Sequence, residues 1–170
     1  MKAAIYNKYG TSQELTIAEV PVPEIKPDQA LVKVHASALN PVDWKIRAGY
    51  LKLVTGLKFP RFTGADFAGK IIKTGNECRQ FNAGDEVFGM ISAATGGACA
   101  EYLSVPENLL CLKPSNATFE EAAAIPLAAQ TALQSLVNKA NLDDGHHVLI
   151  NGSSGGVGSF GVQISRILGA

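Results

Sequence analysis

The chain is poor in cysteine, and no two of its three cysteines have the CxxC spacing of metal or redox sites. The three residues are Cys78, Cys99 and Cys111. Their odd number and wide spacing argue against a disulfide framework of the kind found in small secreted domains. We therefore interpret them as reduced, buried thiols in a reducing compartment.

An excess of charge is also missing, because 15 basic residues balance 15 acidic ones and the net charge is zero. Nucleic-acid-binding surfaces normally carry a basic excess, so we expect no nucleic-acid partner. There is no basic amphipathic stretch and no apolar run near the ~20 residues that cross a bilayer, so we expect no membrane partner. Residues 1–7 are too short and too soon polar for a signal peptide, which predicts a cytoplasmic protein.

What the chain does contain is enough apolar residues, 46% of the total, to build a hydrophobic core. Residues 1–125 combine short apolar or alternating runs with Gly and Pro turns, a pattern that predicts a compact, β-barrel-like domain. Pro41 opens a short helical segment that ends near residue 48. The predicted strands are residues 3–6, 15–20, 30–39, 67–73, 86–90 and 99–105.

The sequence changes character near Thr118, a suitable helix N-cap that is followed by two glutamates in the first turn. Beyond it, residues 126–140 predict an amphipathic helix. The apolar side chains expected on one side of that helix are Leu127, Leu133, Leu136 and Val137.

The most informative segment is residues 151–158, Asn-Gly-Ser-Ser-Gly-Gly-Val-Gly, between an apolar run at 147–150 and a helical pattern at 159–168. A strand, a glycine turn and a helix in this order form the first half of a dinucleotide-binding unit. Glycines let the backbone approach a pyrophosphate, and the helix N-terminus offers free N–H groups and a partial positive charge. The second strand of such a unit would lie beyond Ala170.

This segment and three others resemble the quinone oxidoreductase and ζ-crystallin branch of the medium-chain dehydrogenases/reductases. The residues that agree with the branch signature run from Gly145 to Arg166 and include the glycine turn. The other matching segments are residues 37–43, 64–75 and 81–87. The resemblance extends over the chain from Lys2 to Ala170.

The resemblance implies a β-rich, GroES-like barrel domain at residues 1–125. Residues 126–170 would form a connecting helix and the first strand, turn and helix of an α/β Rossmann domain. Members of the branch are longer, which predicts that this chain is the N-terminal part of a longer protein or a truncated relative. An incomplete sheet would leave residues 146–170 disordered or shielded by a second copy of the chain, and a homodimer is expected.

NADPH is the cofactor that the resemblance implies. NADH is the alternative, because the residues that contact the ribose 2′ position would lie about 20 residues beyond the glycine turn. Zinc is not expected, since zinc-dependent members place ligands where Asn40, Ala65 and Leu127 stand, and none of these is Cys, His or a carboxylate. The implied cofactor-binding residues are Asn40, Thr131, Ser153, Ser154, Gly155, Gly156, Val157 and Gly158.

Two implied cofactor ligands and two candidate catalytic residues each have a structural alternative. Asn40 precedes a proline and could simply form a turn, and the Thr131 hydroxyl could bond to its own helix backbone. Lys45 and Tyr50 are candidate donors to the carbonyl oxygen of the substrate. Their alternative is a solvated face of a short helix.

Two aspartates, Asp43 and Asp66, also belong to the segments that resemble the branch. A role at the site and a structural role are equally open for them. The structural role would be a helix cap or a bridge to Arg47 or Arg61.

The implied activity is hydride transfer from NADPH to a quinone or to the β-carbon of an α,β-unsaturated carbonyl, an enone or enal. No Ser/His/Asp or Cys/His arrangement is recognisable, as expected where the cofactor supplies the chemistry. The alternatives are a non-catalytic dinucleotide-binding or crystallin-like structural protein and, more remotely, a GroES-like co-chaperonin. Weak or absent turnover is expected from the isolated 170 residues.

Overall fold

The computed structural model describes all residues, Met1–Ala170, and they divide into two compact units, Met1–Ala124 and Ile125–Ala170. The first unit consists mainly of strands and the second mainly of helices. No helix in the chain combines the length and the apolar character that crossing a membrane requires.

Eight strands of the first unit form two antiparallel sheets. They are β1 (Lys2–Tyr6), β2 (Thr16–Glu19), β3 (Gln29–Ala38), β4 (Arg61–Phe62), β5 (Asp66–Thr74), β6 (Glu86–Met90), β7 (Tyr102–Pro106) and β8 (Leu110–Leu112). One sheet has the order β2-β1-β4 and the other β7-β3-β5-β6-β8, and a bridge pairs Ala3 of β1 with Ala100. The β-barrel-like domain predicted from the sequence is confirmed.

The core of the first unit lies on one face of the five-stranded sheet. In β6 and β7 every second residue is buried, the period that directs alternate side chains to one face of a sheet. Burial of these apolar side chains is the main contribution that stabilises the sheet. The largest fully buried apolar side chains of this core are those of Val32, Phe67, Ile71, Val87 and Val105.

Three short helices belong to this unit: α1 (Pro41–Arg47), α2 (Lys52–Thr55) and α3 (Phe119–Ala123). At the start of α3 the Glu121 N–H donates to the Thr118 hydroxyl at 3.2 Å, and the Glu121 carboxylate accepts the Thr118 N–H at 2.8 Å. This reciprocal pair satisfies two donors that a helix start leaves open. The predictions of a helix near 41–48 and of Thr118 as an N-cap are confirmed.

The prediction of a strand at 99–105 is wrong at its first residues. Strand β7 begins at Tyr102, and the Cys99 carbonyl instead accepts the N–H of Ala4 in β1 at 2.9 Å. This segment therefore joins the two sheets before β7 pairs with β3. Pro106 ends β7 at the edge of the sheet, where its missing N–H is tolerated.

The second unit contains α4 (Pro126–Leu133), a π-helical turn (Gln134–Lys139) and α5 (Gly156–Ile167). A single α-helix over 126–140 is therefore incorrect. The predicted apolar side is also incorrect, because the buried residues of α4 are Pro126, Ala128 and Ala132, whereas Leu133 is exposed. Small side chains are buried on α4 because α5 packs against it, and Ala128 faces Gly156.

The strand predicted at 147–150 does not form. The backbone there takes no regular structure, and Val148 and Leu149 are exposed. A strand requires a neighbour to pair with its N–H and C=O groups, and the second unit contains no other strand. The turn and the helix of the α/β motif are present, and its strand is not.

Candidate functional site

The glycine turn leads directly into α5. Gly152 has a φ of 77°, a conformation that side chains other than glycine rarely adopt, and the Gly155 N–H donates to its carbonyl at 3.1 Å. Gly155 is the N-cap, and no side chain caps the helix there. The first N–H groups of a helix lack partners within it, so those of Gly156 to Gly158 can receive an anion.

The residues of the turn are open to solvent. Positions 151–157 are exposed, including Ser153, Ser154 and Val157, whereas Gly158 is buried. No acidic residue lies in the first turn of α5, so no carboxylate there neutralises the partial positive charge of the helix N-terminus. The turn therefore leaves backbone N–H groups and a partial positive charge open to solvent, and binding of a pyrophosphate there stays a prediction.

Asn40 lies in the first unit, where β3 passes into α1. It is the N-cap of α1, in an extended conformation, and Pro41 begins the helix. Its backbone N–H donates to Oδ2 of Asp43 at 2.7 Å, and its Nδ2 donates to Oδ2 of Asp66 at 2.9 Å. The Asp43 carboxylate therefore binds the backbone of Asn40, and the Asp66 carboxylate binds its side chain.

Both of these aspartates are buried, Asp43 with 5% and Asp66 with 1% of its surface exposed. Burial raises the pKa of Asp43, and the N–H groups of Asn40 and Gly64 and the charge of Arg47 act against this shift. The guanidinium of the other candidate partner, Arg61, donates to the carbonyls of Thr55 and Ala94 at 2.6 Å each. Asp43 thus has the predicted helix-cap role, and of the predicted bridge to an arginine only a charge interaction with Arg47 is found, not an ion pair.

Thr131 is exposed on α4, and its hydroxyl donates to the carbonyl of Leu127 at 2.7 Å. This is the backbone bond that the structural alternative describes. The hydroxyl oxygen keeps lone pairs that can accept a further hydrogen bond. A role toward a cofactor stays a prediction.

Lys45 and Tyr50 are exposed near α1, and both contact Trp44. The Lys45 ammonium lies 5.8 Å from the centre of the indole ring, and the Tyr50 ring packs edge-on at 5.7 Å. Trp44, itself 44% exposed, was not among the residues predicted from the sequence. Its position one residue before Lys45 was the only available signal.

The donor set does not fit a metal site. No three His, Cys, Asp or Glu side chains lie close enough to hold an ion. Asn40 and Ala65 offer no thiolate, imidazole or carboxylate, which are the ligands that protein-bound zinc requires. Zinc-independence of the reaction stays a prediction.

Comparison with known proteins gives the family. Residues 26–115 match the alcohol dehydrogenase GroES-like domain. The chain belongs to this family. Its assignment to the medium-chain dehydrogenase/reductase superfamily is confirmed, as is the GroES-like fold of its β-rich part.

Individual members of the superfamily are similar over almost the whole chain. A chloroplastic quinone-oxidoreductase homolog of Spinacia oleracea is 42% identical over 98% of this chain and 53% of its own length. A chloroplastic NADPH-dependent alkenal/one oxidoreductase of Arabidopsis thaliana is also 42% identical, over 98% of this chain and 44% of its own length. The chain spans about half the length of the curated relatives it matches.

A solved structure agrees with these relatives. The Escherichia coli quinone oxidoreductase complexed with NADPH is 26% identical, with a TM-score of 0.88 over 100% of this chain and 51% of its own. The similarity therefore extends over the glycine turn and α5 as well as over the two sheets.

The prediction of a cytoplasmic protein is wrong. The spinach and Arabidopsis relatives are both chloroplastic proteins. The prediction rested on the lack of a signal peptide and on unpaired cysteines, which argue against the secretory route. These features do not distinguish the cytosol from the interior of an organelle.

Proposed function

We propose that this chain is part of a zinc-independent, NADPH-dependent oxidoreductase that reduces a quinone or the double bond of an enone or enal. The observation that carries the proposal is the glycine turn that opens directly into the uncapped N-terminus of α5. The names of the relatives, a quinone-oxidoreductase homolog and an NADPH-dependent alkenal/one oxidoreductase, support the reaction class.

The residues of the turn fit the cofactor. The N–H groups of Gly156, Val157 and Gly158 would bind the pyrophosphate, where no side chain competes for them. Gly155, whose N–H already donates to the Gly152 carbonyl, would line the phosphate as the residue before the helix. The hydroxyls of Ser153 and Ser154 would donate to further phosphate oxygens. The complex of the E. coli enzyme with NADPH supports NADPH as the dinucleotide.

The other proposed residues act at the reactive end of the cofactor. NADPH, when bound, supplies the hydride. Asn40 and Thr131 would hold the nicotinamide by hydrogen bonds, which fixes the distance from its ring to the acceptor carbon. Lys45 or Tyr50 would donate a hydrogen bond and then a proton to the substrate oxygen, where negative charge develops after the hydride arrives.

A binding experiment on the full-length protein tests the first half of the proposal. Ser154→Asp places a negative charge beside the N-terminus of α5, which favours the helix but repels a phosphate. We expect the Kd for NADPH, measured by cofactor fluorescence, to rise at least ~10-fold with no loss of thermal stability. Ser115→Asp, at an exposed serine of the first unit, is the matched control and should leave the Kd unchanged.

Turnover tests the second half. The full-length protein should oxidise NADPH with a quinone, enone or enal, and this rate should survive a chelator. Lys45→Met and Tyr50→Phe should identify which side chain supplies the proton, through a lower kcat. NADPH binding without turnover on any of these acceptors would instead support the non-catalytic, crystallin-like alternative.

The isolated chain and its assembly are tested separately. We expect the 170 residues alone to oxidise NADPH weakly or not at all. Appreciable turnover by a monomeric preparation would contradict this expectation. Light scattering on the full-length protein tests the proposed homodimer.

A further inference from the structure

Five large apolar side chains are exposed within the consecutive residues 50–57, a segment that we call the apolar tip. Leu53 is 97% exposed, Val54 81% and Leu57 75%, and the other two are Tyr50 and Leu51. Helix α2, which lies within the tip, buries none of its residues. Single exposed apolar residues are ordinary on a protein surface, but a contiguous group of them marks a surface that contacts something other than water.

The apolar tip is held in place from its inner side. The Tyr9 hydroxyl donates to the carbonyl of Gly56 and lies 2.8 Å from the Thr55 hydroxyl. Nη1 of Arg61 donates to the Thr55 carbonyl at 2.6 Å. Thr55 is the only residue between positions 50 and 58 that is not exposed. The exposed leucines therefore belong to an anchored segment and not to a frayed one.

The charges around the apolar tip are all of one sign. Residues 44–65 contain no acidic residue, although the chain as a whole has a net charge of zero. Their basic residues are Lys45, Arg47, Lys52, Lys58 and Arg61. The three lysines are exposed and form no ion pair, and Lys52 and Lys58 lie within and next to the tip. Uncompensated positive charge therefore flanks the exposed leucines.

Apolar side chains between lysines suit a bilayer surface better than a protein surface. A stable protein interface has about 20–30 residues a side and is depleted of lysine, whereas the apolar tip is small and has lysines among its apolar residues. Peripheral membrane proteins use this combination. Their apolar side chains enter the boundary between headgroups and acyl chains, and their Lys or Arg side chains attract anionic headgroups.

We propose that the apolar tip docks peripherally on a bilayer surface that contains anionic lipids. Leu53, Val54 and Leu57 enter the headgroup boundary, and Lys52 and Lys58 lie at the level of the lipid phosphates. The expectation of no membrane partner considered only a basic amphipathic stretch and a membrane-spanning run, and a helix of 4 residues that ends at a glycine is neither. The inference does not depend on the proposed NADPH-dependent function.

Sedimentation of the full-length protein with lipid vesicles tests the proposal. We expect binding to vesicles of phosphatidylglycerol and phosphatidylcholine, weaker binding as salt screens the lysines, and little binding to phosphatidylcholine alone. Leu53→Glu should weaken binding to the anionic vesicles at least ~10-fold, because it places a carboxylate where an apolar side chain enters the bilayer. Leu112→Glu makes the same change at another exposed leucine, in β8, and should bind like wild type.

A second pair of variants tests the charges. Lys52→Gln and Lys58→Gln should each weaken binding to the anionic vesicles about fivefold, the usual effect of one basic side chain near such a surface. Lys26→Gln, at an exposed lysine outside residues 44–65, is the control and should have no effect.

Exposure of the substituted side chains keeps the outcomes distinct. Because Leu53 is almost fully exposed, Leu53→Glu should keep the unfolding midpoint of wild type, so a loss of binding would not reflect unfolding. Wild-type protein that ignores anionic vesicles would overturn the proposal, as would equal binding by Leu53→Glu and Leu112→Glu. A change of oligomeric state in Leu53→Glu, measured by light scattering, would also overturn it and would make the apolar tip an interface between copies of the chain.

Discussion

Gly158 approaches Gly152 so closely that a Cβ atom at position 158 would overlap the carbonyl oxygen of Gly152. That carbonyl also accepts the N–H of Gly155, so it cannot move without opening the turn. The contact joins the first turn of α5 to the loop before it. The shape of the candidate phosphate site therefore depends on the absence of a side chain at position 158.

We predict that Gly158→Ala destabilises α5 and its loop by about 1–3 kcal/mol, the usual cost of forcing atoms into a packed site. Hydrogen exchange of the α5 amides would measure this loss. Gly156→Ala is the matched control, because its Cβ would meet only Ala128 at an ordinary 3.6 Å. Equal protection in the two variants would contradict the close contact.

The carboxylate of Glu107 binds three consecutive backbone N–H groups, those of Arg79, Gln80 and Phe81, at 2.7 to 3.2 Å. The hydrogen bond from the Arg79 N–H is the main cause that lowers the pKa of Glu107. A lowered folded-state pKa means that this group stabilises the fold above its unfolded-state pKa. The stabilisation is lost as pH falls through the folded-state pKa.

Glu107→Gln should therefore lower the thermal midpoint at neutral pH and should lose less stability than wild type on acidification toward about pH 3. The measurement is the unfolding midpoint as a function of pH for both proteins. Glu24→Gln, at an exposed glutamate, is the control and should follow wild type. A constant difference between Glu107→Gln and wild type at every pH would contradict the assigned role of the carboxylate.

The β-rich part of the fold was predictable because its evidence is local. The short runs that become β6 and β7, and the glycine and proline residues between such runs, can be read from the sequence. They match the strands that form, in which every second residue is buried. The strand at 147–150 was not predictable in the same way. Its apolar residues satisfy the pattern, but a strand depends on partners, and the second unit provides none.

Two details, one in the candidate site and one after α4, illustrate what a local sequence pattern cannot predict. The sequence indicates Asn40 as a cap, but its bond to Asp66 depends on the register of β3 and β5, which pairs Ala38 with Asp66. The π-helical turn after α4 has no signature of its own. There the Ser135 hydroxyl donates to the carbonyl of Thr131, a bond that weakens regular helical structure.

Asp43 should have the opposite pH dependence to Glu107. Burial raises its pKa in the folded protein, so between the unfolded-state and folded-state values the folded chain holds a proton that the unfolded chain has lost. The stability due to this group is full below the unfolded-state pKa and decreases as pH rises through the folded-state pKa. Asp43→Asn cannot ionise and should become more stable relative to wild type as pH rises from about 4 toward neutral.

Thermal midpoints measured across that pH range would test the prediction. Asp28→Asn, at an exposed aspartate, should run parallel to wild type and serves as the control. If Asp43→Asn instead loses stability relative to wild type as pH rises, the folded protein stabilises the charged form of Asp43 and its pKa is lowered rather than raised.

Cys111 and Cys99 should react with iodoacetamide at rates that differ because of exposure and pKa. Cys111 is exposed, so the expectation of three buried thiols is wrong for this residue, whereas Cys99 is partly buried and its Sγ lies 3.4 Å from the Ser37 hydroxyl. Burial raises the pKa of Cys99, the hydrogen bond with Ser37 acts against this shift, and the charge of Asp43 adds to it. The raised pKa reduces the reactive thiolate at neutral pH.

Mass spectrometry of the folded protein should find Cys111 alkylated well before Cys99. The Cys111 adduct should be absent in Cys111→Ser while Cys99 stays slow, and Cys99 should react as fast as Cys111 in denaturant. Modification of Cys99 at the rate of Cys111 in the folded protein would show that the thiol is neither shielded nor held protonated.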